Sequence, residues 1–186
     1  MKALGRIKKG VFGLIILLCI LVTAQACGVR SKGKVLLILH GGGMSVDYMI
    51  TNEFRVMKKK LTDAGFTVVV ATVDGQPVGQ TISVMPDLKL SDVHVTDYKG
   101  FIVPCMNAGV IPDESVRIVK EALAQGKPIA AQNGAVRVLG MADGLKGRNF
   151  TISAEFAGGT SLWGGTYSGI DVMEDGNIIT SGTCPF

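Results

Sequence analysis

The stretch from Gly126 to Gly140, GKPIAAQNGAVRVLG, reads as a short buried strand, a tight turn and a helix. That is the geometry by which α/β enzymes present a nucleophile at a strand end. Asn133 occupies the tip. A side-chain amide has no hydroxyl or thiol with which to attack a carbonyl, so this elbow carries no nucleophile. Asn also has a structural reason to be there, because it tolerates positive φ better than most residues. His40 is the second chemically interesting position. It follows the aliphatic run from Lys34 to Leu39, at what should be the carboxyl edge of a parallel sheet, where ligands bind in open α/β folds. A catalytic histidine and a loop histidine satisfied by water are both consistent with that place. The glycines after it, Gly41 to Gly43, could cradle an anion, but no G-K-[ST] follows. The chain's 2 His and 4 Cys show no C-x-x-C or H-x-x-x-H spacing, so neither a metal nor a cofactor is expected.

The elements around these positions alternate. Lys34 to Leu39 is a continuous apolar strand. Glu53 to Ala64 places Phe54, Val56, Met57 and Leu61 at helical spacing and stops at Gly65. Phe66 to Ala71 is the next strand. Gly75 to Asp92 reads as a peripheral excursion. Tyr98 to Pro104 is a third central strand, and Pro112 to Gln125 is a helix opened by Asp113 and Glu114. Phe150 to Ser153 is a strand, while Gly169 to Glu174 and Asn177 to Ser181 form a hairpin across Asp175 and Gly176. Trp163, in the Gly-rich connection from Gly158 to Tyr167, serves either as part of a lid or as an aromatic pin holding the loop to the core. Alternation of this kind predicts one α/β domain with helices on both faces of a mainly parallel sheet.

At the start, Lys2, Arg6, Lys8 and Lys9 precede an apolar run from Val11 to Val22 that ends in Ala24, Gln25, Ala26 and Cys27. This is the pattern of a secretory signal. The small residues before Cys27 resemble a bacterial lipobox, in which the thiol is acylated, although Ala24 stands where Leu is usual. Ordinary cleavage and a retained short anchor are the alternatives, and the run is shorter than the roughly 20 apolar residues of a spanning helix. The expected organisation is a signal peptide over 1–26, a linker over 27–33 and a domain over 34–186. Its expected location is a bacterial envelope, attached to membrane through a lipid on Cys27 and facing the periplasm or the exterior.

Charge excludes one class of partner. The formal net charge is +4, from 19 Lys and Arg against 15 Asp and Glu, and the four cations before the apolar run account for all of it. Without them the domain is neutral, so no nucleic-acid footprint is expected. Lys58 to Lys60 is the longest cationic run and reads as a solvated helix face.

The segments KVLLIL from Lys34, DAGFTVVVA from Asp63, PDLKLSDV from Pro86, DYKGFIVP from Asp97, GKPIAA from Gly126 and EDGNIITS from Glu174 occur in an order and spacing that resembles the DJ-1/PfpI family. That family lies within the class I glutamine amidotransferase-like superfamily. The resemblance implies a flavodoxin-like three-layer sandwich and activity of a cysteine hydrolase or glyoxalase kind. The family's elbow Cys falls on Asn133. Its Glu falls on Glu53, as a surviving acid or base or as a carboxylate favoured by a first helical turn. Its Pro-Gly-Gly turn becomes Pro104, Cys105, Met106 and Asn107, and a His found after the elbow in some members falls near Ser153. The family's final helix is expected to be absent, since the sequence given stops at Phe186.

These departures imply a non-catalytic, envelope-anchored protein with a binding or structural role, its old pocket near Glu53, His40 and Asn133. The alternative is a cysteine-dependent hydrolase or glyoxalase-like enzyme using Cys105. The resemblance also brings Cys184 near the elbow, so a Cys105–Cys184 disulfide is one expectation and two independent buried thiols the other. A small molecule and a second copy of the chain are the remaining candidate partners.

Overall fold

The computed structural model describes residues 31–41, 45–105 and 109–184; the signal-like segment with Cys27, and Gly42, Gly43, Met106 and Asn107, fall outside these. The core of the sheet is β1 (Lys34–Ile38), flanked by β2 (Thr67–Thr72) and β4 (Tyr98–Val103), both parallel to it. With β3 (Leu88–Lys89), β5 (Ile129–Gln132), β8 (Val172–Asp175) and β9 (Ile178–Ser181), the order is β3-β2-β1-β4-β5-β9-β8, and only β8 runs antiparallel. The chain builds outward from β1 through β2 and β3, then returns to the other side of β1 with β4. The switch point between β1 and β4 is where such sheets leave a crevice at their carboxyl ends.

Alternation along each strand sends side chains to two layers. Val35, Leu37 and Leu39 pack with Val46, Met49, Ile50 and Phe54 on one face. Leu36, Ile38, Phe101 and Val103 face the other, against Ile118, Val119 and Ala122 of α2 (Asp113–Ala124) and Val138 and Leu139 of α3 (Val136–Met141). Burying a Val, Leu, Ile, Phe or Met side chain of this kind is worth about 1.5–3 kcal/mol relative to exposure. The flavodoxin-like three-layer arrangement is therefore observed.

The first helix differs from expectation. Helix α1 begins at Val46, passes through a π-helical turn at Ile50–Phe54 and continues over Arg55–Asp63. Glu53 lies in the π turn in mid-helix, so the first-turn dipole does not explain its presence. The end is as expected: Gly65 at φ 89° lets its own N–H reach Thr62 and the N–H of Phe66 reach Leu61, closing the helix's free carbonyls.

Two smaller differences have local causes. The excursion after β2 folds through a Val78–Val84 bridge, is held by Asp47 accepting from the backbone of Gln80 and Thr81 at 2.8 Å each, and ends as edge strand β3. It thus contributes to the sheet. The strand expected over Phe150 to Ser153 is only β6 (Asn149–Phe150), which pairs with β7 (Thr166–Tyr167) in a separate ribbon. It stops there because the N–H of Thr151 turns to the side chain of Thr180, at 2.9 Å.

Candidate functional site

The elbow forms where β5 runs out. Asn133 takes φ 50°, one of two non-glycine residues with positive φ among the described residues, and the chain passes through a 3-10 turn, Asn133–Ala135, into α3. Gln132 braces the turn from below by donating to the carbonyl of Thr183 at 3.2 Å. That contact ties the elbow to the segment after β9, because β9 lies parallel to β5 and ends at the same edge.

Three side chains from distant parts of the chain meet there. Glu53 from the π turn of α1, Cys105 from the end of β4 and Cys184 from beyond β9 place a carboxylate oxygen and two sulfurs all within 4.8 Å of one another. A π turn advances the helix by an extra residue and commonly marks a functional position. Asn133 joins them by donating from Nδ2 to Cys184 Sγ at 3.5 Å. Both cysteines are free and half-buried. Their sulfurs lie within 4.8 Å of each other.

The electrostatics are those of a crowded, partly desolvated corner. Glu53 is 2% exposed, and burial raises its carboxyl above the usual range against the opposing pull of the Cys184 thiol and the Cys105 N–H. Its Oε2 has no hydrogen-bond partner among the described residues, and neither does Asn133 Oδ1. The Cys105 thiol is held below its ordinary value, first by the Cys184 thiol beside it and also by the N–H of Gly134, although burial and Glu53 oppose this. Cys184 is raised, as the partner that keeps its proton.

His40 does not join the cluster. Its Nε2 meets Ser115 Oγ of α2 at 2.7 Å, so the imidazole faces the α2 layer while Glu53 belongs to the α1 layer. Burial lowers its pKa to about 4, keeping the ring neutral near pH 7. Of the three residues expected to share a site, Glu53 and Asn133 thus gather around the two cysteines, and His40 turns to the other layer. Other expectations resolve simply. Lys58 to Lys60 are exposed. Trp163 packs against Gly140 and the Phe150 ring, 5.8 Å between centroids, which makes it a pin. Ser153, where some family members carry His, bonds Glu155 at 3.4 Å.

Glu155 is the residue that sequence reasoning missed, since its charge acts on Cys105. It sits in a single 3-10 turn, Ala154–Phe156, too short to show periodicity or a motif, and only its nearness in sequence to Ser153 pointed to it. The metal-capable trio was missed for a similar reason. Its members are 52 and 79 positions apart, so no ligand spacing could announce it.

A doubly wound sheet with an elbow after β5 and reactive side chains gathered at the strands' carboxyl ends defines a flavodoxin-like α/β protein of the glutamine amidotransferase-like kind. The chain belongs to the DJ-1/PfpI family, whose model matches residues 33–185. An uncharacterized protein of Archaeoglobus fulgidus is 33% identical over 148 residues, 74% of this chain and 88% of the relative. Among solved structures, a two-domain protein of Anabaena variabilis with DJ-1/ThiJ/PfpI-like and ferritin-like domains matches with a TM-score of 0.68 and 25% identity, over 81% of this chain. This chain spans 44% of that two-domain protein. A ThiJ/PfpI domain protein of Brachyspira murdochii matches with a TM-score of 0.69 and 16% identity, over 82% and 88% of the two chains. Drosophila melanogaster DJ-1beta matches with a TM-score of 0.63 and 22% identity, over 81% and 82%.

Proposed function

We propose that this protein is a non-catalytic member of the DJ-1/PfpI family that binds a small ligand at the Glu53–Cys105–Cys184 corner. One observation carries the reading: the elbow tip is an amide, and the thiols nearest to it, Cys105 and Cys184, face each other beside a buried carboxylate. A single-nucleophile mechanism needs a thiol free to meet a carbonyl carbon, with donors aimed at the developing oxyanion. Here the donors Asn133 Nδ2 and Gly134 N–H are directed at the two sulfurs. The test is turnover of methylglyoxal, amide and peptide substrates by the reduced protein, which should stay at background.

The second reading, a hydrolase or glyoxalase-like enzyme using Cys105, is favoured by the placement of Cys105 beside Glu53. Turnover that disappears in Cys105→Ser would select it.

The envelope location belongs to the same proposal and rests on the basic, apolar and small-residue order ending at Cys27. Among the described residues no helix is long and apolar enough to cross a membrane. Removal of residues 1–26 with acylation of Cys27 joins two lipid signals into stable attachment. Intact mass of the membrane fraction checks this. An unmodified Cys27 or an uncleaved Met1 would remove the lipid anchor from the account.

A further inference from the structure

We propose that Cys105, Cys184 and Glu53 bind a thiophilic divalent cation, zinc in the first instance, as a three-ligand site with a fourth position open. This rests on the binding reading above and names its ligand. The donor set is two sulfurs and one carboxylate oxygen, the combination that selects zinc over magnesium or calcium, which take oxygen donors. Around a tetrahedral zinc with bonds of about 2.3 Å to sulfur, two thiolates stand about 3.8 Å apart. A sulfur and a carboxylate oxygen stand about 3.5 Å apart on the same ion, and the ligand atoms here lie within 4.8 Å of one another, so closure requires movement of about 1.3 Å at most.

Two further observations point to a cation. Glu53 Oε2 is buried without a partner among the described residues, on a side chain 2% exposed. The Cys184 thiol and the Cys105 N–H act on the carboxyl but leave Oε2 unpartnered, an oxygen that is costly to bury unless a positive charge or a further donor reaches it, and no Lys, Arg or His forms an ion pair with Glu53 among the described residues. Around the sulfurs, Asn133 Nδ2 donates to Cys184 at 3.5 Å and the N–H of Gly134 acts on Cys105. N–H groups directed at metal-bound thiolates orient them and spread their charge, which is the supporting shell a metal site requires. Asn133 thereby acquires a role at the elbow that a nucleophile could not fill, that of a positioning residue. On binding, the two thiols release their protons to solvent and each sulfur gives a lone pair to the cation, with no change of oxidation state.

The experiment uses the full chain, stripped of metal and kept reduced by a phosphine. Zinc is titrated in competition with a chromophoric chelator, and cobalt(II) is added separately as a spectroscopic probe. One ion per chain is expected, with a thiolate-to-cobalt charge-transfer band and the intense visible bands of tetrahedral cobalt. Cys105→Ser and Cys184→Ser should each weaken zinc binding by about 100-fold or more, and Asn133→Ala by about 10-fold with the charge-transfer band kept. Because a variant can fail to fold, the unmutated protein supplies a second readout: zinc should slow iodoacetamide alkylation of both cysteines, located by peptide mass. Equal alkylation with and without zinc, or unchanged affinity in the double Cys→Ser variant, would overturn the proposal. Absence of zinc binding together with absence of turnover would reject this inference alone. Turnover by the metal-free protein would instead reject the non-catalytic reading.

Discussion

Asn133 and Cys184, 51 residues apart, meet amide to sulfur across 3.5 Å at the carboxyl edge of the sheet. The contact exists because β9 lies parallel to β5, so whatever follows β9 emerges beside the elbow. It explains why an elbow without a nucleophile still holds an ordered polar side chain. It also separates two duties of Asn133, tolerance of the backbone and contact with sulfur.

Substitution can divide those duties. At φ 50° an L side chain lacking Asn's local polar contacts costs about 1–2 kcal/mol, partly offset by glycine's greater unfolded-state entropy. Asn133→Gly should therefore be about as stable as the unmutated protein in urea unfolding, or at most slightly weaker. Asn133→Ala should be less stable than Asn133→Gly by about 0.5–1 kcal/mol. An alanine variant more stable than the glycine variant would argue against a strained elbow.

The two thiols should close under oxidation. In the metal-free protein, a small added disulfide accepts two electrons and becomes two thiols, while Cys105 and Cys184 lose their protons and join. The link spans a loop of roughly 80 residues and stabilises by about 4 kcal/mol on the chain-entropy model, less any strain. A non-reduced peptide map should show the Cys105–Cys184 pair, formed more slowly when zinc is present. Two separately alkylated thiols after complete treatment would exclude the bond.

His40 should make stability depend on pH. Its folded pKa of about 4 lies below the ordinary value of 6.5, so between these the unfolded chain binds more protons than the folded one. Its contribution is complete above about pH 6.5 and is lost as pH falls towards 4, by about 3 kcal/mol at most. Urea midpoints measured from pH 7 to pH 4 should fall less steeply in His40→Gln than in the unmutated protein. Identical slopes would mean that His40 is not held neutral by burial.

Gly140 and Trp163 test the pin. A Cβ on Gly140 would overlap Trp163 Cδ2, so the ring must move. Gly140→Ala should lose about 1–3 kcal/mol and red-shift the fluorescence of the chain's one tryptophan. Unchanged stability and emission would show that the ring is not confined there.

How much of this was legible in the sequence follows from the range of each interaction. β1, β2, β4 and β5 were readable because a strand buried on both faces is a continuous apolar run, and the end of α1 because Gly65 is a local stop. The start of α1 was not, since Val46 to Asn52 mixes polar and apolar residues and its helicity comes from packing Val46, Met49 and Ile50 on β1. The Asn133 turn was legible as local chemistry. The family resemblance set Glu53 and Asn133 in one site, and the structure brings each beside Cys184; alternation along β1 puts His40 on the face of Leu36 and Ile38, toward Ser115, a signal the sequence reading did not follow. The approach of Cys105, Cys184 and Glu53 is a property of strand order, which no local pattern encodes.

The most direct measurement of the central claim is steady-state turnover of methylglyoxal, an amide and a peptide by the reduced protein, beside Cys105→Ser. A non-catalytic binding site predicts background rates for both proteins with every substrate. Turnover by the unmutated protein that Cys105→Ser abolishes would contradict it and make Cys105 the nucleophile that Asn133 cannot be.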